Sequence, residues 1–253
     1  MTSTERGNGP RFAAVPLESG GTTVTEWLAG DRFPTLDFTG CQRLIVVAPH
    51  PDDETLGFGA TSAQLAAAGV EVQVVSVSDG GAAFPDLSEF DRIELERTRR
   101  AEVAKATSIL GIRPPILLGL PDGAVGQHED TLVEKLVDII DGAGEGTWCA
   151  ATWRGDGHPD HEAVGRAAAR ATARTGATLL EYPVWMWHWA TPGDPAVPWD
   201  RAFSVALDRS AIGRKQHAAH CFRSQFEDDG TRPAVLPPFF LRRLMAVGEV
   251  VFR

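Results

Sequence analysis

The sequence predicts an α/β fold: three layers, with a mainly parallel sheet held between helices. Short β-branched apolar runs alternate with longer helix-favouring stretches from Arg43 onward. Three of the helical stretches stop at a glycine (Gly69, Gly111, Gly176), the residue best suited to end a helix. Finally, the most reactive side chains follow directly on apolar runs. Open α/β sheets carry their ligands beyond the carboxyl ends of strands.

Taken in order, residues 1–40 are mixed in character, broken by Gly7, Gly9, Pro10, Gly20 and Gly21, and read as an N-terminal extension. The first dozen are expected to be loosely ordered, and residues 24–28 to form a short helix packed on the main body. Residues 44–47 read as a buried parallel strand and 58–68 as its crossover helix, closed by Gly69. A second strand at 72–77 ends in Ser78-Asp79-Gly80-Gly81, and a polar helix at 89–110 ends at Gly111. A third strand at 116–118 leads into the loop 119–123, and 132–140 carry helical periodicity. A fourth strand at 147–152 precedes an alanine-rich helix that opens at Pro159 and runs to Thr175. Later strands are expected at 179–187 and 203–207, and a later helix at 210–221. The sum is a Rossmann-like arrangement, and 1–253 is expected to be one domain.

Composition narrows the function. A hydrophobic fraction of 43% suits a sizeable core, and no apolar run is long enough to span a bilayer. The N-terminus lacks a basic-then-apolar secretory layout, so a cytoplasmic location is expected. With 24 basic and 34 acidic residues the net charge is −10, which argues against a general nucleic-acid surface. Arg97, Arg99 and Arg100 remain available to a polar ligand. Cys41, Cys149 and Cys221 form no CxxC pair and read as buried thiols in a reducing compartment. Any metal should therefore be held by His and Asp.

Two clusters carry the chemistry. The first strand runs into His50-Pro51-Asp52-Asp53-Glu54. Pro51 keeps His50 out of helical conformation, at the strand exit. Asp52 and Asp53 are adjacent and their side chains diverge, so one suits a metal and the other a bound water. Glu54 falls near a helix N-terminus, where negative charge is favoured. In His158-Pro159-Asp160-His161, Pro159 fits the first helical position, and the two histidines, three apart, can face one cavity. One imidazole can ligate while the other donates a proton or a hydrogen bond, and Asp160 can orient either. Two His and one Asp with open positions is a site in which zinc lowers the pKa of bound water to about 7. A carboxylate beside it takes the proton, and a histidine opposite stabilises the oxyanion or protonates the leaving amine. That chemistry is amide hydrolysis.

Ala48-Pro49-His50-Pro51-Asp52-Asp53-Glu54 and His158-Pro159-Asp160-His161 together resemble the LmbE-like, or PIG-L, family of metal-dependent N-deacetylases. Its members act on N-acetylglucosaminyl lipids, mycothiol and bacillithiol precursors, chitobiose and glycopeptide antibiotics. The resemblance extends over 43–225, because Lys215 and Ser224-Gln225 resemble a late helix of the family. It implies His50, Asp53 and His161 as metal ligands, Asp52 as general base, His158 as oxyanion stabiliser or general acid, and Asp160 as the residue that tunes a histidine. It places Asp79, Arg99 and Asp122 where sugar deacetylases contact substrate hydroxyls. Some relatives carry a tyrosine two residues before the second cluster; here it is Asp156, counted with the substrate contacts.

The expectation is a zinc hydrolase, other divalent ions being acceptable to the ligand set. It would remove an N-acyl group, first of all acetyl, from an amino sugar or glycosylated small molecule, with a homo-oligomer left open. A non-haem iron oxygenase uses the same two-His, one-carboxylate set, and a non-catalytic metal-binding relative is the other alternative. Trp185, Trp187 and Trp189 alternate, so on a strand they would share a face, for packing in the core or a dimer interface or for stacking on a sugar.

Overall fold

The computed structural model describes residues 7–228, 230 and 233–253. In chain order the elements are α1 (Gly9–Ala13), α2 (Val24–Leu28), β1 (Arg43–Ala48), α3 (Asp53–Ala67), β2 (Glu71–Ser78), α4 (Glu89–Leu110) and β3 (Ile116–Leu120). There follow α5 (Glu129–Ala143), β4 (Thr147–Thr152), α6 (Pro159–Thr175), β5 (Thr178–Tyr182), α7 (Met186–Trp189) and β6 (Ala202–Ser204). The chain closes with α8 (Arg209–Ala219), α9 (Arg223–Phe226), α10 (Pro238–Ala246) and β7 (Val250–Phe252).

The strands form one sheet in the order β3-β2-β1-β4-β5-β7-β6. The first five are parallel, and β7 pairs antiparallel with both β5 and β6. Alternation along β1 explains the layers. Leu44 and Val46 point into a cluster with Val72, Val74, Leu56 and Phe58, on the face covered by α3. Ile45 and Val47 point into a second cluster with Val75, Val77, Leu136 and Val164, on the face covered by α5 and α6. Both faces are buried, so β1 reads as a continuous apolar run rather than an alternating one. Outside α3, its Ala63 packs against Val103 and Leu110 of α4 and Ala218 of α8.

β1 lies between β2 and β4, so the order of the chain reverses there. The two His/Asp clusters follow β1 and β4, neighbours at that reversal, where α/β sheets open a crevice. Gly165 lets α6 start close over the end of β4: a Cβ there would meet Thr152 O at 2.5 Å and Arg154 N at 2.6 Å.

Several elements differ from the sequence expectation for identifiable reasons. The first crossover helix begins at Asp53, not residue 58; Phe58 (φ −144°, ψ 15°) is a break within it. There the freed N–H groups of Ala60 and Thr61 donate to the Glu249 carboxylate, which also holds Lys215 Nζ at 2.8 Å. The cap comes from the far end of the chain, so no local signal marks it. The strand expected over 179–187 ends at Tyr182, because Pro183 has no N–H to donate and the chain turns into α7. The three alternating tryptophans therefore share no strand face. β6 is shorter than expected, and α9, α10 and β7 were not foreseen. In the extension, Gly9–Ala13 is helical where loose order is expected, while residues 1–6 lie outside the described residues. The helix Val24–Leu28 buries Trp27, whose Nε1 donates to Trp187 O at 2.9 Å.

Candidate metal centre

His50 leaves β1 through a tight turn. Its backbone N–H donates to Asp53 Oδ2 at 3.1 Å, while Pro49 O accepts both the backbone N–H and the hydroxyl of Ser78, each at 2.9 Å. Asp52, the cap of α3, sits at φ 127°, a region that costs a non-glycine residue about 1–3 kcal/mol. Strain of this kind persists only where the surroundings over-determine it.

Asp53 Oδ2 lies 3.2 Å from His50 Nδ1 and 3.2 Å from His161 Nε2. The ligand atoms of His50, Asp53 and His161 all fall within 4.8 Å of one another. His161 Nδ1 sits 2.8 Å from Asp156 Oδ2, a carboxylate that can only accept, so the ring proton belongs on Nδ1. His161 Nε2 is buried and makes no well-aligned hydrogen bond, facing Asp53 Oδ2 at 3.2 Å. A buried imidazole nitrogen of this kind, next to a second imidazole and a carboxylate, fits a divalent cation. His50 Nε2 is held in turn by Asp122 Oδ1 at 3.0 Å and Asp160 Oδ2 at 3.4 Å.

The electrostatics divide the two neighbouring carboxylates. Burial, then the charges of Asp53 and Glu54, raise the Asp52 carboxyl well above the usual range. Burial would raise Asp53 too, but His161 and His50 outweigh it and hold Asp53 well below that range. Burial opposes charge on His161 as well, yet Asp53 and Asp156 lift it to about 9. His158 goes the other way, down to about 3, through burial and the neighbouring His161 and His50. Its Nδ1 accepts the Asp160 N–H at 3.3 Å, which leaves a neutral ring with its proton on Nε2. The His158 ring centroid is 5.1 Å from that of His50 and 5.0 Å from that of His161. The centre is reachable from outside: the side chains of His50 and Asp122 are 15% and 14% exposed, whereas that of His161 is 0%.

The structure thus brings His50, Asp52, Asp53, His158, Asp160 and His161 together. Asp122 joins them at His50; burial would raise it, but the His50 bond and charge, the Ala82 N–H and Arg99 together hold it below the usual range, at about 2. Asp160 accepts N–H groups of Gly123 and Val125 besides touching His50. Two of the expected substrate contacts, Asp156 and Arg99, are buried. Asp156 is fully buried: it accepts from Val184, Trp185 and Met186 N–H groups and backs His161, so no substrate reaches it. Arg99 is buried as well and donates to Gly80 O, Ser224 Oγ and Gln225 Oε1. Gln225 Nε2 in turn donates to Pro51 O at 3.3 Å, so the pair braces the strained turn. Asp79 pairs with Arg100 at 2.5 Å, and its Oδ1 is buried without a partner. Sequence reasoning missed the Asp156–His161 pairing, for which the spacing of five across a helix start was the available signal.

The PIG-L family, described as GlcNAc-PI de-N-acetylase, matches residues 45–172. A 1D-myo-inositol 2-acetamido-2-deoxy-alpha-D-glucopyranoside deacetylase of Kineococcus radiotolerans is 38% identical over 85 residues, 32% of this chain and 24% of that protein. One of the same name from Kribbella flavida is 25% identical over 235 residues, 79% of this chain and 75% of that protein. Six further curated relatives, all named deacetylases, are matched over 52% to 62% of their length. The N,N'-diacetylchitobiose deacetylase from Pyrococcus horikoshii superposes with a TM-score of 0.59 at 21% identity, over 76% of this chain and 73% of that one. At that identity the likeness shows the fold.

Proposed function

The chain belongs to the PIG-L family, and on that premise we propose that it is a zinc-dependent hydrolase. It removes an N-acyl group, acetyl first of all, from an amino sugar or a glycosylated small molecule. One observation carries the reading: the buried His161 Nε2, without a well-aligned hydrogen bond, beside Asp53 and His50, flanked by Asp52 and a neutral His158.

His50, Asp53 and His161 would hold the ion. When bound, zinc supplies a water nucleophile at neutral pH and polarises the amide carbonyl. Asp52, next to Asp53 in the chain, takes the proton of the attacking water. His158 presents Nε2–H to the developing oxyanion, its tautomer set by the Asp160 N–H. Asp156 orients His161, and Asp122 and Asp160 orient His50. The departure at Asp156 is therefore no argument for a non-catalytic relative, since that residue serves a ligand. The oxygenase alternative would want a β-sandwich-like scaffold, and the sheet here is mainly parallel.

The experiment is a panel of N-acylated sugars, thiol-sugar conjugates and glycopeptide precursors, followed by free-amine release from zinc-loaded protein. At least one is expected to be hydrolysed, with kcat falling by about 10²- to 10⁴-fold in Asp52→Asn while zinc is retained. Unchanged turnover in Asp52→Asn removes the base assignment.

A further inference from the structure

The extension ahead of the family-matched region reaches the metal centre. The Asn8 backbone N–H donates to Glu162 Oε1 at 2.7 Å and its side-chain amide to Gly155 O at 2.8 Å. Glu162 also accepts the Gly157 N–H at 3.1 Å, so the extension is tied to the segment that carries His158 and His161. Arg11 pairs with Asp194 at 3.0 Å. Between these anchors Phe12 is laid against Trp185, centroids 5.0 Å apart, and against His158, 6.1 Å away. Trp185 lies nearly parallel to His158, at 19° and 6.3 Å, and rests on Phe240 at 4.6 Å. Gly157, at φ +98°, makes room: a Cβ there would meet Phe12 Cβ at 2.8 Å.

Exposure separates this group from ordinary core. Trp187 and Trp189 are buried, at 5% and 6% exposed, but Phe12, Trp185 and His158 are each only half-buried. Phe12 and Trp185, in contact and each keeping open surface, make an apolar wall continuous with the His158 imidazole. The remainder of the centre is carboxylates and imidazoles, which offer an apolar group nothing. We propose that Phe12 and Trp185 form a subsite for an apolar substituent of the substrate, adjoining the scissile amide, and so determine specificity. This rests on the hydrolase reading for where the amide lies. The substituent is either the chain of the N-acyl group or an apolar aglycone, both presenting the same hydrocarbon surface to stacked rings.

Calorimetric binding to the zinc-loaded protein distinguishes these sources. The ligands are N-acetylglucosamine, N-octanoylglucosamine and the octyl β-glycoside of N-acetylglucosamine. One of the two extended ligands should bind about tenfold tighter than N-acetylglucosamine. That advantage should vanish in Phe12→Ala and Trp185→Ala and partly return in Phe12→Leu. Affinity for N-acetylglucosamine itself should stay within about twofold in Phe12→Ala, which reports an intact centre. Equal affinity of the wild type for all three ligands overturns the proposal, as does an advantage that survives both alanine variants. Amine release is followed in parallel: its absence alongside an intact binding preference refutes the hydrolase reading and supports the subsite.

Discussion

His161 shows how a single nitrogen can be committed by what stands behind it. Asp156 accepts a hydrogen bond from Nδ1–H, and three backbone N–H groups hold Asp156 in place. Removing that charge while keeping the shape should loosen the ligand rather than the fold. Asp156→Asn is expected to weaken zinc affinity by about 10- to 100-fold, read by competition with a chelating indicator. Unaltered affinity would mean that His161 needs no such partner. Glu54 offers a pH signature. Burial lifts it from its ordinary 4.5 to about 7. The folded chain thus binds this proton more tightly than the unfolded one. Its contribution to stability is present below 4.5 and is lost as pH rises through about 7. Denaturant titrations at pH 5 and 8 should show wild type losing up to about 3 kcal/mol relative to Glu54→Gln over that range. Parallel pH curves for the two proteins would contradict the assignment.

At the scale of elements, the site depends on how closely α6 approaches the end of β4. Gly165 sits within the first two turns of α6 and has backbone, not flexible side chain, as its neighbour. Gly165→Ala should therefore shift the helix, cost about 1–3 kcal/mol in chemical denaturation, and weaken zinc binding together with stability. Loss of stability with normal zinc affinity would show that α6 moves without carrying His161. Elements also show where the sequence was and was not legible. The strands over 44–47 and 147–152 and the helices over 89–110 and 159–175 declared themselves through apolar runs, Pro159 and closing glycines, all local signals. The break at Phe58 did not, because Glu249 makes it from the opposite end of the chain. The alternation of Trp185, Trp187 and Trp189 imitated a strand, and Pro183 with the Asp156 carboxylate turned it into a helix instead.

For the whole molecule, strand order is what turns two distant sequence motifs into one centre. β1 and β4 are neighbours where the order reverses, so both His/Asp clusters leave the sheet at the same edge. Asp79 and Asp122 follow β2 and β3 and reach the same edge. The residues of the candidate centre were legible because each motif is compact and each sits at a strand exit. The roles of Arg99 and Asp156 were not, because they are decided by tertiary partners at Gln225 and at residues 184–186. No helix among the described residues is long and apolar enough to cross a membrane.

The most direct test of the central claim is a calorimetric zinc titration of metal-stripped protein, wild type beside His161→Ala. One equivalent of zinc is expected to bind the wild type, and none to bind the variant with comparable affinity. Equal binding by both, or none by the wild type, would contradict a centre built from His50, Asp53 and His161.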